Sequence, residues 1–262
     1  MPAAARVPGR AAANREDAQG AAMTVVNALQ LFFIGLLTLA FGVPATLLGL
    51  LLPGKALKGK LFLRVSKYYS RAALLALRVN VACRGLEHID VRKPYVFMSN
   101  HVSHADAPAL ASVLPHPLHW VFKKELAKIP VFGWVLLAGG QIMVDRADPE
   151  GSRAALERAL SGLSGNNSVM IYPEGTRSRD GKLQPLKKGG FWMAVHSGLP
   201  IVPVRVSGTR EIVAADSLRI RPGNVLVEVF PPIDTAGKGM GDIPELMKRV
   251  REAMLSGTPG PG

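Results

Sequence analysis

Thirty consecutive residues, 24–53, carry no charged side chain. As a helix, a run of that length would measure about 45 Å, against roughly 30 Å for the hydrocarbon core of a bilayer. A cleavable signal peptide fits poorly, because the apolar run is too long, starts too late and has no small-residue cleavage site after it. Gly42-Val43-Pro44 interrupts the run near its middle. Two readings remain open: one tilted, kinked span, or a shallow helical hairpin bent at Pro44. Both make residues 24–84 a membrane anchor with its flank. Residues 1–23, rich in Ala, Gly and Arg without apolar period, are expected to be a disordered tail.

The flank carries eight basic residues between positions 55 and 84 (Lys55, Lys58, Lys60, Arg64, Lys67, Arg71, Arg78 and Arg84) and no acidic one. The excess of positive charge beside an apolar segment places this side in the cytoplasm, at the inner membrane. Leu61, Val65, Tyr68, Ala72, Leu75 and Val79 recur at helical spacing, with basic residues one position earlier in the same rhythm. That is a basic amphipathic helix, suited to an anionic lipid surface. The competing reading is a solvated helix whose apolar face packs on the domain.

The whole chain has 32 Lys and Arg against 19 Asp and Glu, a formal charge of +13, so it seeks anions. Those charges cluster beside the apolar run, and aromatic residues make up only 6% of the chain, so lipid is the expected partner and nucleic acid is not. One cysteine excludes an internal disulfide. No zinc-ligand spacing is present.

From residue 80 onward the pattern is α/β, with strands expected at 80–83, 95–98, 120–122, 141–144, 169–172, 201–206 and 225–230. Helices are expected at about 106–114, 149–163, 188–197 and 243–255. Asp148 and Pro149 supply a helix start, and Gly198 a stop. The expected fold is a mixed central sheet flanked by helices, occupying residues 85–256, with a frayed end over 257–262.

Two constellations carry chemistry. Ser99-Asn100-His101-Val102-Ser103-His104-Ala105-Asp106 follows an apolar strand. Pro108 fits only the first turn of a helix, which puts the helix start near Asp106 and leaves His101 on the preceding loop. A loop imidazole can then fold back to a first-turn carboxylate, giving a general base with its orienting partner. The plain alternative is an N-capping Asp and an idle loop His. The second is Pro173-Glu174-Gly175-Thr176-Arg177-Ser178-Arg179, a Gly-containing turn at a strand end that can cradle phosphate. Gly208-Thr209-Arg210 repeats the tripeptide without a preceding carboxylate, so the tripeptide alone says little. His104 is read as supporting its loop, and His196 as a surface residue of the 188–197 helix. The apolar stretch 129–137 is either a buried helix or a further bilayer contact.

Asn100-His101-x-x-x-x-Asp106, followed by Tyr172-Pro173-Glu174-Gly175-Thr176-Arg177-Ser178, resembles the 1-acyl-sn-glycerol-3-phosphate acyltransferase family. Lys124-Glu125-Leu126-x-x-x-Pro130-x-x-Gly133, continuing to Gly140 and Arg146, is similar to that family's second block, and Leu199-Pro200-Ile201-Val202-Pro203-Val204 to its fourth. The resemblance covers about residues 80–235. It implies transfer of a fatty acyl group from an acyl thioester, acyl-CoA or acyl-carrier protein, to the sn-2 hydroxyl of lysophosphatidic acid, giving phosphatidic acid. His101 would be the base and Asp106 its partner. Glu174, Gly175, Thr176 and Arg177 would bind the glycerol phosphate, with Lys124 and Arg146 as further phosphate ligands. No metal or other cofactor is implied. Two other functions compete: an acyltransferase for another lysolipid, and a non-enzymatic binder of anionic lipid, which would leave both constellations unexplained. A hydrolase would need a metal cluster or a nucleophile elbow, and the sequence shows neither.

Overall fold

The computed structural model describes the chain except residues 1–9, 146, 162, 164, 215, 216, 218 and 259–262. Seven strands form one sheet: β1 (Val79–Arg84), β2 (Val96–Ser99), β3 (Leu118–Lys123), β4 (Ile142–Val144), β5 (Ser168–Ile171), β6 (Ile201–Ser207) and β7 (Gly223–Val229). Their order is β1-β7-β6-β2-β5-β3-β4. Neighbours are parallel except β6 and β7, which are antiparallel. The sheet is therefore mixed, as expected. β2 lies between β5 and β6, and all four of its residues are buried. Burial on both faces is why this strand reads as a continuous apolar run and not as an alternating one.

Helices cover both faces. On one, α3 (Asp106–Val113) packs Ala109 and Leu110 onto Phe97 and Met170. On the other lie α5 (Pro149–Ser161), α6 (Lys188–Ser197) and α8 (Ile243–Ser256). Asp148 caps α5, accepting the Gly151 N–H at 2.9 Å. Ile243, Leu246, Val250 and Met254 form the buried stripe of α8. Two short helices, α4 (Phe132–Ala138) and α7 (Thr209–Ile212), complete the set. The expected frayed end is partly tied down, since the Thr258 hydroxyl and N–H both bond the Glu228 carboxylate.

The N-terminal segment corrects three expectations. First, α1 runs from Arg10 to Leu51, so residues 10–23 belong to a helix rather than to a disordered tail; residues 1–9 lie outside the described residues. Second, the helix passes through Pro44 instead of bending back there. The reversal comes at Pro53-Gly54, where Gly54 adopts φ +79° and α2 (Lys55–Ala76) begins. Third, Val79 lies in β1 and not on the amphipathic helix.

Packing explains why α1 continues through Pro44. Its inner face is built from small residues that let neighbours approach. A Cβ on Gly42 would lie 2.8 Å from Val131 Cγ1, and one on Gly49 would lie 2.9 Å from the Phe62 ring of α2. Thr38 contacts the Tyr69 hydroxyl at 3.1 Å, and Phe41 meets Tyr69 edge to face. The Asn27 side-chain Oδ1 accepts the Ile220 N–H at 3.3 Å. The helix is thus held to the domain from residue 27 to residue 49, about 33 Å of its length. Its outer face is apolar and bare: Phe32 is 66% exposed, Leu47 57% and Leu50 69%. Val25–Leu51 is long and apolar enough to cross a membrane.

On α2, Phe62, Ala73 and Leu74 are buried inward, whereas Tyr68 and Leu75 of the expected stripe stand 60% and 77% exposed beside Lys60, Arg64 and Arg71. The stripe is divided, with Leu61, Val65 and Ala72 half-buried and Tyr68 and Leu75 turned outward. Ile129, Trp134 and Leu137, on and before α4, are likewise exposed.

Candidate active site

β2 ends at Ser99 and α3 begins at Asp106, leaving His101 on the intervening loop. The imidazole does fold back, with His101 Nδ1 2.8 Å from Asp106 Oδ2. The same oxygen accepts the N–H groups of Val102 at 2.8 Å and Ser103 at 2.9 Å. Asp106 is fully buried, while the His101 side chain keeps 22% of its surface open. A carboxylate only accepts, so Nδ1 carries the proton and Nε2 presents a lone pair. The ring lies flat on Tyr172, with centroids 3.8 Å apart and planes 12° apart.

Three ties set the loop. The Asn100 side chain pairs with β6 as a strand would, donating to Val206 O at 2.9 Å and accepting from Val206 N at 2.7 Å. The Ser178 N–H donates to His101 O at 2.8 Å. Glu174 Oε1 accepts the His101 N–H and Oε2 the Gln184 N–H, both at 2.7 Å.

Glu174 corrects an expectation. It is 1% exposed, and its carboxylate is turned to backbone amides rather than to ligand space. Burial raises its pKa above the usual carboxylate range, opposed by those two amide bonds. The three residues after it do face the cavity. Gly175, Thr176 and Arg177 line a cavity of about 1100 Å³ together with His101, Tyr172 and Lys187. Gly175 has φ +70°, and a Cβ there would lie 3.0 Å from Lys187 Nζ. The Arg177 guanidinium rests against the exposed His104 ring, which gives His104 its supporting place. His196 stacks on Trp192, on the other face of the sheet.

Lys124 is not brought to the cavity. It is exposed and ion-paired with Asp145, which raises the lysine's pKa and lowers that of the acid. Arg146 lies outside the described residues. Lys187, which sequence reasoning missed, lines the cavity where Lys124 does not. Its only sequence signal was a basic pair, Lys187-Lys188, just ahead of a helix. Tyr172 was missed in the same way. Its hydroxyl is buried without a hydrogen-bond partner among the described residues, and burial beside Asp106 pushes its pKa well up.

Behind this basic rim the cavity is apolar. It runs between the sheet and the inner faces of α1 and α2, past Ile34, Phe41, Phe62 and Tyr69. Basic at one end and apolar along its length, it suits an anionic amphiphile. No protein hydroxyl is poised as nucleophile in the His101 loop. Ser103 Oγ donates to Val213 O at 2.5 Å, on the far side from the imidazole's free nitrogen.

A loop imidazole paired with a buried carboxylate stands at the ends of strands β2 and β5 in a mixed sheet, and the stretch that carries it, residues 80–207, matches the Acyltransferase family model. The chain is similar to 1-acyl-sn-glycerol-3-phosphate acyltransferases. It is 28% identical over 254 residues to 1-acyl-sn-glycerol-3-phosphate acyltransferase of Limnanthes douglasii, covering 96% of this chain and 90% of that one. It is 34% identical over 184 residues to the human alpha enzyme of that name, covering 70% of this chain but only 64% of the human protein. The solved structure of the 1-acyl-sn-glycerophosphate (LPA) acyltransferase PlsC from Thermotoga maritima superposes with a TM-score of 0.75 at 25% identity, covering 88% of this chain and 92% of that one.

Proposed function

We propose that the protein transfers a fatty acyl group from an acyl thioester to the sn-2 hydroxyl of 1-acyl-sn-glycerol-3-phosphate, giving phosphatidic acid for phospholipid synthesis. The observation that carries this reading is the His101–Asp106 pair, 2.8 Å apart, placed with Arg177 on one apolar cavity. His101 Nε2 takes the proton of the sn-2 hydroxyl, and the oxygen attacks the thioester carbonyl. Asp106 stabilises the imidazolium that forms. The tetrahedral intermediate collapses, the C–S bond breaks, and the imidazolium returns the proton to the departing thiolate. No acyl-enzyme is formed. Arg177 and Lys187 hold the phosphate by charge-assisted hydrogen bonds, with Gly175 and Thr176 shaping its seat. The acyl chains lie in the apolar part of the cavity, between the sheet and α1 and α2.

The donor is the thioester of coenzyme A or of an acyl carrier protein. Both present the same reacting group, so the assay needs both. The protein works at the cytoplasmic face of the inner membrane, on anionic lipid. Two features support this. Lys60, Arg64 and Arg71 stand beside the exposed Tyr68 and Leu75, as expected of a helix lying on anionic headgroups. In addition, α1 is pinned along its inner face from Asn27 to Gly49, so it lies on the bilayer with its bare outer face inserted and does not cross alone.

The test is purified protein in detergent with lysophosphatidic acid and each donor, following thiol release and phosphatidic acid. Inactivity of the wild type with both donors and across lysolipid acceptors would end the enzyme reading. His101→Ala should lose about 10²–10⁴-fold in kcat. Near-normal turnover would remove His101 from the mechanism.

A further inference from the structure

The Gly208-Thr209-Arg210 turn, which has no carboxylate before it, is wired into the His101–Asp106 site. Thr209 is fully buried at the start of α7, and its hydroxyl donates to Asp106 Oδ1 at 2.5 Å. The other oxygen, Oδ2, already takes three donors: His101 Nδ1, Val102 N and Ser103 N. Among the described residues, Thr209 is the one hydrogen-bond donor to Oδ1. The chain reaches this position only because residue 208 is glycine. Gly208 has φ +88°, and a Cβ there would lie 2.2 Å from Asn224 O of the neighbouring strand β7. The tight turn off β6 aims the threonine back at α3.

The rest of the segment clasps the same loop. Ser103 Oγ donates to Val213 O at 2.5 Å while accepting the Ala105 N–H at 3.0 Å, and Ser103 bridges to Ala214. Residues 208–214 thus meet the loop that carries His101 at Asp106 and at Ser103. Threonine suits the task because its branched Cβ stiffens χ1.

We propose that Thr209 is a positioning residue for acyl transfer, fixing the Asp106 carboxylate from the side opposite His101. A carboxylate held at one oxygen can swing about its Cβ–Cγ bond. Held at both, it keeps Oδ2 in line with His101 Nδ1, and with it the tautomer and ring orientation that leave Nε2 facing the acceptor hydroxyl. Thr209 touches neither substrate, so it acts on turnover and not on binding.

The proposal rests on the acyl-transfer reading above, and the wild-type control separates the two: wild-type inactivity sinks that reading, whereas an active wild type puts Thr209 alone to the test. Thr209→Val keeps the shape and removes the hydroxyl. Its kcat should fall about 10–100-fold, with KM for lysophosphatidic acid and for the donor within about twofold, which is the signature of a lost transition-state interaction. Thr209→Ser, which restores the donor, should return kcat to within about threefold of wild type. Wild-type kcat in Thr209→Val, a Thr209→Ser variant as slow as it, or a loss carried in KM would each overturn the proposal. Should Thr209→Val show no thermal unfolding transition, Thr209→Ala replaces it in the comparison with Thr209→Ser, and the same outcomes decide.

Discussion

Glu174 offers the sharpest test of how this site is built, because sequence and structure assign it different work. A phosphate-binding glutamate would act on KM. The structure instead shows a carboxylate 1% exposed, one oxygen on the His101 N–H and the other on the Gln184 N–H, each at 2.7 Å. Glu174→Ala leaves both amides without acceptors. At about 1–3 kcal/mol per buried orphan group, the loss is about 2–6 kcal/mol. With about 2–4 °C of Tm per kcal/mol for a chain of this size, that is a fall of several to about twenty degrees. Glu174→Gln keeps one acceptor and turns an NH₂ toward the other amide, so it should lose about half as much. Part of that loss is offset by relief from burying a charge that burial itself disfavours, as the raised pKa of Glu174 reports. Since His101 is one of the two anchored residues, kcat should drop with Tm in the order wild type, Gln, Ala, while KM for lysophosphatidic acid stays within about twofold. The assay is thermal unfolding in detergent beside steady-state kinetics. A Glu174→Ala protein with wild-type Tm and a selectively raised KM would refute the reasoning and return Glu174 to the substrate.

Lys187→Ala and Arg177→Ala should each raise KM for lysophosphatidic acid by about tenfold, the worth of one charge-assisted contact, whereas Lys124→Ala should leave it unchanged; a larger effect at Lys124 would mean that its pairing with Asp145 is not kept in the working enzyme. Burial holds the His116 imidazole below its ordinary value of 6.5, so the fold takes up fewer protons than the unfolded chain in acid. Its contribution is therefore present above pH 6.5 and is lost as pH falls through that value and below. Tm followed from about pH 7.5 to 5 should fall less steeply in His116→Phe than in wild type, and equal slopes would clear His116 of this role. Leu47→Glu, on the bare outer face of α1, should leave Tm in detergent unchanged and reduce binding to anionic vesicles by about tenfold or more. Equal sedimentation with vesicles would show that this face does not meet lipid.

Much of the fold is legible in the chain because its signals are local. All seven strands were expected close to where they lie, since strands buried on both faces, such as β2, must be continuous apolar runs. Pro108 marks the start of α3, and Asp148-Pro149 that of α5, because an imino acid and a capping carboxylate act on the adjacent turn. The His101–Asp106 pairing was also accessible, because five residues and one helix start settle most of its geometry.

By itself, then, the sequence determined a charge-free N-terminal apolar run with a basic flank, a mixed α/β domain, an imidazole with its carboxylate, and a basic turn. The tertiary structure alone decided how these meet. It carried α1 on through Pro44, because Gly42, Ala45 and Gly49 let α2 and α4 pack close enough to hold the helix around the break. It turned Glu174 inward, put Lys187 on the cavity and Lys124 against Asp145, and brought Thr209 to Asp106 across 103 positions of sequence. Hydrogen bonds over such separations leave no periodicity and no spacing to read. They follow from which strands become neighbours in the sheet, and that is settled by burying the whole chain at once.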